Sequence, residues 1–170
     1  LVGSEMCIRD RNVTYSKRWP DSKNSLSINL YSNRDLLVDK KVDRASNYFV
    51  SPTNSGSQIN ISNKTLPKIS FRHGQSSLFP SSALNKKWYN NINWNYGFNF
   101  TKKDKNYYKS VFSDSLNSYD WQRDENGNAI DTLFQDAGWT HTASLNAPIK
   151  VLKHINLNPN INLRSNWVNR

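Results

Sequence analysis

Residues 90–100, NNINWNYGFNF, put Asn or Gly at every second position and an aromatic or isoleucine between them. Side chains alternate faces along a strand with a period of two. In an extended strand Ile92, Trp94, Tyr96, Phe98 and Phe100 share one side, and Asn91, Asn93, Asn95, Gly97 and Asn99 share the other. One face is aromatic and the other is polar but uncharged, so the two faces must meet different media.

The same pattern recurs along the chain. Val13, Tyr15 and Trp19 alternate over 12–19, and Leu26, Ile28 and Leu30 over 25–32, with Pro20-Asp21 as a turn signal between them. This predicts a hairpin. Residues 34–56 read as a long loop, with a helical turn in RDLLVDKKV. Ile59 and Ile61 share a face over 57–65. Pro67 interrupts, because proline lacks a ladder donor, and Ile69 and Phe71 resume the alternation. Residues 73–87 form a turn-rich connection, and a strand covers 88–101. Residues 102–137 read as an extended loop with a short strand or helix around 107–120. Alternation returns over 138–149, and again over 154–168 after a short link. Ile-Asn-aliphatic or Ile-Asn-Trp steps appear at 28–30, 59–61, 92–94, 155–157 and 161–163, without a fixed repeat length. Six or seven strands and no helix of ordinary length make the chain all-β, an antiparallel meander.

Two settings fit. In a soluble sandwich the apolar face is the core. In a transmembrane barrel the apolar face meets lipid and the Asn face lines a wet lumen. Asn is depleted in ordinary strands, and a dense uncharged Asn face suits a crowded wet interior. Ile92–Phe100 is about as long as the 9–11 residues that cross a bilayer. The long 102–137 and short 148–154 connections match the loop asymmetry of outer-membrane barrels. The barrel reading makes Leu26, Ile28, Leu30, Ile59, Ile61, Ile92, Trp94, Tyr96, Phe98, Phe100, Ala143, Leu145, Ile161 and Leu163 lipid-facing. It makes Asn29, Asn60, Asn91, Asn93, Asn95, Asn99, Thr142, Ser144, Asn146, Asn160, Asn162 and Arg164 lumen-facing. Trp88, Tyr89, Trp139 and Trp167 fall where an interfacial aromatic girdle would lie. His141 falls on the apolar side.

Composition narrows the picture further. The 170 residues suffice for one domain with a core. Mean hydropathy is −0.80, yet aromatics at 12% argue against disorder. Asn and Ser make up roughly a quarter of the chain, well above ordinary usage. The net charge of +10 allows a polyanion or an anionic surface as partner, but the cations are scattered in small clusters such as Lys40-Lys41, Lys86-Lys87 and Lys102-Lys103, as on a solvated basic surface. One cysteine, Cys7, excludes a disulfide framework. No apolar run approaches a transmembrane helix, which says nothing against barrel strands.

Catalytic chemistry finds little footing, and no cofactor is expected. His73, His141 and His154 show no metal-ligand spacing. Asp120, Asp124, Glu125, Asp131 and Asp136 crowd the second long connection outside any EF-hand register and read as a solvated loop. No phosphate loop or nucleophile elbow occurs. The competing function is a soluble basic β-domain binding single-stranded nucleic acid or a glycan through its aromatics. Against nucleic acid, no Lys or Arg sits among the aromatics of 92–100.

Four phrases in order, TYSKRWPDSKNSLSINL, TLPKISFRHGQSSLFP, KKWYNNINWNYGFNF and HTASLNAPIKVLKHINLNPNINL, resemble the barrel region of the lipopolysaccharide-assembly LptD family. The likeness is to long members from Bacteroidetes and neighbouring marine lineages. Thr65-Leu66-Pro67, Leu78-Phe79-Pro80, Lys87-Trp88-Tyr89 and Lys150-Val151-Leu152-Lys153 stand at its recurring phrases. The resemblance covers about residues 12–170. It implies a non-enzymatic outer-membrane barrel of a Gram-negative bacterium, placing lipopolysaccharide in the outer leaflet. It also implies an LptE-like plug lipoprotein and a periplasmic Lpt bridge as partners, and no nucleic acid. Residues 1–11, LVGSEMCIRDR, resemble a translated sequencing adapter of the kind met in metagenomic sequences. The expectation is a partial barrel domain over 12–170, a fragment of the wall with long loops near 34–56 and 102–137.

Overall fold

A computed structural model describes residues 8–81, 87–114, 116–151 and 155–169. In chain order the elements are β1 (Ile8–Trp19), β2 (Asn24–Asp35), α1 (Val38–Val42), β3 (Gln58–Ser77), β4 (Asn93–Ser113), β5 (Ser118–Trp121), β6 (Asp131–Asn146), β7 (Ile149–Val151), β8 (Ile155–Leu157) and β9 (Asn160–Asn169). The fold is all-β, as the alternation predicts. One sheet runs β1-β2-β3-β4-β6-β9, with β5 paired to β4, and β7 and β8 make a separate hairpin. The sheet is an open antiparallel meander.

Local chemistry accounts for the breaks. Between β1 and β2, Lys23 takes a left-handed φ of 57° and its N–H donates to the Pro20 carbonyl. The Gly74 N–H then reaches the Lys23 carbonyl at 2.8 Å, and a Cβ on Gly74 would lie only 3.3 Å from that oxygen. Pro67 does not interrupt β3. A proline removes one donor, and a twenty-residue strand keeps its other ladder bonds. Asn91 ends a 3-10 turn, Trp88–Asn91, and Ile92 caps it, so both precede β4. β4 continues far beyond the alternating stretch, to Ser113. Its last four residues pair with β5, from Ser110 opposite Trp121 to Ser113 opposite Ser118. Cross-strand pairing holds KKDKNYYKSVFS extended although it carries no period-two signal.

Two compact units result. The first comprises Leu1–Val13, Leu30–Leu66 and Lys102–Asp136. Its buried apolar side chains among the described residues are Val38, Val42, Pro52, Ile61 and Trp121. The Trp121 indole N–H donates to the Val50 carbonyl at 2.9 Å. Ser110 is fully buried, its hydroxyl donating to the Asn54 carbonyl at 2.7 Å and its N–H to Ser57. The 34–56 connection therefore packs on the β4–β5 hairpin.

Asp120 corrects the expectation of a solvated acidic loop. It is buried and accepts from both the Arg44 and Arg123 guanidiniums. Arg123 also donates to the Val42 carbonyl at 2.7 Å. Burial pushes the Asp120 pKa up, but hydrogen bonds from Arg123, the Trp121 N–H and Arg44 outweigh it and hold the carboxyl below its ordinary value. Asp124 is a different case. It is exposed and accepts the Asn126 and Asn128 N–H groups in a turn closed by Gly127 at φ 82°.

The second unit comprises Thr14–Asn29, Pro67–Thr101 and Ala137–Arg170. β6 and β9 pair in register, with Ala143 opposite Leu163, Leu145 opposite Ile161, Thr142 opposite Arg164, Ser144 opposite Asn162 and Asn146 opposite Asn160. Apolar side chains thus meet apolar ones, and polar meet polar, as two distinct faces require.

Candidate functional site

One face of the second unit is aromatic. Trp94, Tyr96 and Phe98 of β4 meet side chains from both neighbouring strands. His73 of β3 stacks on Trp94 with ring centroids 4.3 Å apart, and Phe71 lies 6.4 Å from Tyr96. From β6, His141 contacts Phe98 at 5.1 Å and shares a 2.7 Å hydrogen bond with the Tyr96 hydroxyl. His73 is also satisfied. Its ring nitrogens lie 2.7 Å from Asn24 Oδ1 and 2.7 Å from Ser76 Oγ. A polar ring on an apolar face costs little when its nitrogens are paired.

The intervening positions build a cleft of about 910 Å³, bordered by Asn95, Gly97, Asn99 and Thr142 together with Ser16, Arg18, Ser25, Ser27, Ser70 and Arg72. Gly97 leaves room for Thr142 here. A Cβ would stand 2.7 Å from Thr142 Oγ1, which donates to the Gly97 carbonyl at 3.3 Å. The cleft carries Lys17, Arg18 and Arg72 and no acidic side chain. This follows a wider asymmetry. The second unit's segments hold eleven Lys and Arg against one acid, Asp21, while the first unit's hold twelve against twelve. The whole net charge of +10 belongs to the second unit.

The expected site residues distribute as follows. Trp94, Tyr96 and Phe98 come together on the aromatic face. Asn95, Asn99 and Thr142 border the cleft, as do Leu26, which was expected on the opposite face from Ser25 and Ser27, and Tyr96, with Phe71 and His73 beside it. Asn29 donates to Thr14 Oγ1 at 2.7 Å. Trp139 and Trp167 stand directly opposite each other on β6 and β9 and are 44% and 61% exposed. Trp88 lies edge-on to Tyr89, which lies edge-on to Phe79. Ile61, expected to face lipid, is buried in the core of the first unit, while Asn60 beside it is exposed. His73, Arg18 and Arg72 were not foreseen as part of a site. Extending the alternation from Ile69 and Phe71 by two residues reaches His73, and places Arg72 on the other face.

Among the described residues no group of three His, Cys, Asp or Glu could hold a metal ion, and no helix is long and apolar enough to cross a membrane. A family model described as LptD protein matches residues 10–170. The chain belongs to the LptD family. No curated protein and no solved structure matches it. LptD proteins are outer-membrane proteins with a role in lipopolysaccharide transport, a task of transport and assembly rather than catalysis. The LptD match spans both units, including the first unit's packed connections.

Proposed function

We propose that this chain forms part of the wall of a transmembrane barrel that places lipopolysaccharide in the outer leaflet. The observation that supports the reading is the alternation of β4 in the second unit, with the rings of Trp94 and Phe98 stacked against His73 and His141 while Asn95, Gly97 and Asn99 border the cleft. In this reading the aromatic face meets lipid, with Phe100, Ala143, Leu145, Ile161 and Leu163 continuing it. The cleft face lines the lumen, with Ser144, Asn146, Asn160, Asn162 and Arg164 continuing it. Ile61 is left out of the lipid-facing set because it is buried.

Trp139 and Trp167 serve as one aromatic girdle. Along β6, Trp139 lies seven residues from Asn146, a rise of roughly 23 Å at about 3.3 Å per residue. At the 35–45° tilt of outer-membrane strands this covers about 16–19 Å of depth, most of an apolar band about 25 Å tall. An LptE-like lipoprotein inside the barrel and a periplasmic bridge delivering lipid are the partners this reading calls for.

The test uses the complete reading frame, expressed with a signal sequence. Outer membranes are isolated and gel mobility is compared before and after boiling, while surface lipopolysaccharide is followed as the protein is depleted. A heat-dependent shift together with loss of surface lipopolysaccharide is expected. A soluble protein with no shift would end the reading.

A further inference from the structure

We propose that the pocket between the Trp88–Asn91 turn and the β7–β8 hairpin binds an extended acidic peptide segment, laid beside the hairpin as a further strand, with Trp88 as its apolar anchor and Lys150 as its charge partner. The pocket holds about 720 Å³ and lies wholly within the second unit. That it opens to the periplasm rests on the barrel reading. The turn and the hairpin follow β3 and β6 at the strand ends that also carry the tight Pro20–Lys23 turn, and short turns face the periplasm in outer-membrane barrels.

The turn holds an exposed indole in place. Trp88 is 64% exposed. Asn90, two residues on, is buried. Its side-chain oxygen accepts the Lys87 N–H at 2.7 Å, and its amide donates to the Phe79 carbonyl at 2.6 Å. The Ser77 hydroxyl donates to the Asn90 carbonyl at 2.8 Å. None of these bonds involves the indole, so an incoming segment meets a ring already positioned. Trp is a frequent interface anchor because one side chain buries a large apolar area.

The hairpin supplies a backbone edge. Among the described residues β7 and β8 pair only with each other. Alternate residues of each strand then turn N–H and C=O groups outward, where a further strand can add. Ile149 stands opposite Leu157, and Lys150 opposite Asn156. Successive strand residues point to opposite faces, so a pocket touched by all four lies at the hairpin's margin and not over one face. Leu157 and Pro148 extend the apolar wall beside Trp88, and Asn91 and Asn158 add amides that both donate and accept, as peptide groups do.

Charge selects the occupant. Lys150 is exposed and borders the pocket, which has no acidic side chain. A segment alternating apolar and acidic residues meets Trp88 and Lys150 together, whereas a basic segment is repelled by the second unit's excess of cations. A glycan stacked on Trp88 would leave the outward N–H and C=O groups of the hairpin without strand partners.

The test uses the full-length protein in detergent and labelled heptapeptides, followed by fluorescence anisotropy. One peptide alternates valine and glutamate, and a second has lysine for glutamate. Two more are the acidic peptide N-methylated at alternate residues, in either phase. The acidic peptide is expected to bind and the basic one not to. Methylation in one phase should weaken binding about tenfold or more while the other phase is tolerated. W88A should weaken it about tenfold or more, W88F only partly, and K150E should transfer the preference to the basic peptide. K64Q/K103Q, which removes two exposed cations of the first unit, should behave like wild type. Loss in both methylated phases or in neither overturns strand addition. Equal binding by W88A and wild type, an equal effect of K150E on both peptides, or a loss in K64Q/K103Q matching that in K150E overturns the site. Displacement of the peptide by an N-acetylglucosamine trisaccharide assigns the pocket to a glycan instead. Heat-dependent gel mobility is read on every variant. A preserved shift without this binding pattern fails the pocket alone, and the binding pattern without a shift fails the barrel reading alone.

Discussion

His141 of β6 and Tyr96 of β4 share a hydrogen bond of 2.7 Å between the imidazole Nδ1 and the phenol oxygen, on a face otherwise built from aromatic rings. Each polar atom removes the other's desolvation penalty. Y96F leaves the imidazole nitrogen unpaired and is expected to destabilise the protein by about 1–2 kcal/mol. Y96F/H141F removes both polar partners and should recover most of that loss, because replacing both members of a pair by apolar groups is close to neutral. Urea unfolding in detergent or lipid measures both. A double variant no better than Y96F would show that the bond is not what holds His141 there.

The two faces can be told apart by one charge. F98R places a guanidinium on the aromatic face and is expected to cost about 2–4 kcal/mol if that face meets the bilayer core. N99R, one residue on, points the same group toward the cleft and should cost far less. Folding into lipid vesicles, followed by heat-dependent mobility, reads the difference. Equal tolerance of both would refute a lipid-facing aromatic side.

Gly97 and Thr142 are coupled across β4 and β6. G97A sets a methyl 2.7 Å from Thr142 Oγ1, and a β-branched side chain has few rotamers in which to retreat. A loss of about 1 kcal/mol is expected, relieved in G97A/T142A. A double-mutant cycle by urea unfolding should show this positive coupling. Purely additive effects would mean that the strand shifts instead.

Asp120 predicts acid sensitivity in the first unit. Its pKa is depressed in the folded state. The stability it supplies is therefore fully present above the ordinary carboxylate pKa and is lost as pH falls through the lower folded value. D120N should lower stability at neutral pH by roughly 2–3 kcal/mol, below the range for fully buried pairs because Arg44 is 46% exposed. It should also flatten the acid limb of stability against pH.

Tyr108 predicts the opposite limb. Burial, then its hydrogen bond to Asp39 at 3.0 Å, pushes its pKa up to about 12. Its folded pKa lies above the unfolded one, so its contribution is complete below about pH 10 and is lost as pH rises toward 12. The difference in ultraviolet absorbance titration between wild type and Y108F should show one tyrosine ionising late. A missing phenol that titrates near 10 would contradict this.

The all-β class and the separation of faces were legible in the sequence, because strand side chains alternate with a period of two whatever the strand packs against. Trp94, Tyr96 and Phe98 fall together for that reason, as do Asn95, Gly97 and Asn99. What alternation could not express was decided by contacts distant along the chain. β4 runs on through 102–113 because it lies between β3 and β6 in the sheet and its last four residues pair with β5. Asp120 is buried because Arg44, 76 residues away, meets its carboxylate. Ile61, like Val38, Val42 and Trp121 of the same unit, is buried, which period-two alternation alone does not distinguish from a lipid-facing position. The cationic cleft needed the fold as well. Arg18 and Arg72 are 54 residues apart in sequence, and scattered cations become one field only when strands β1 and β3 flank β2. Alternation is a property of neighbouring residues, whereas burial, pairing and charge density depend on which segments the sheet brings side by side.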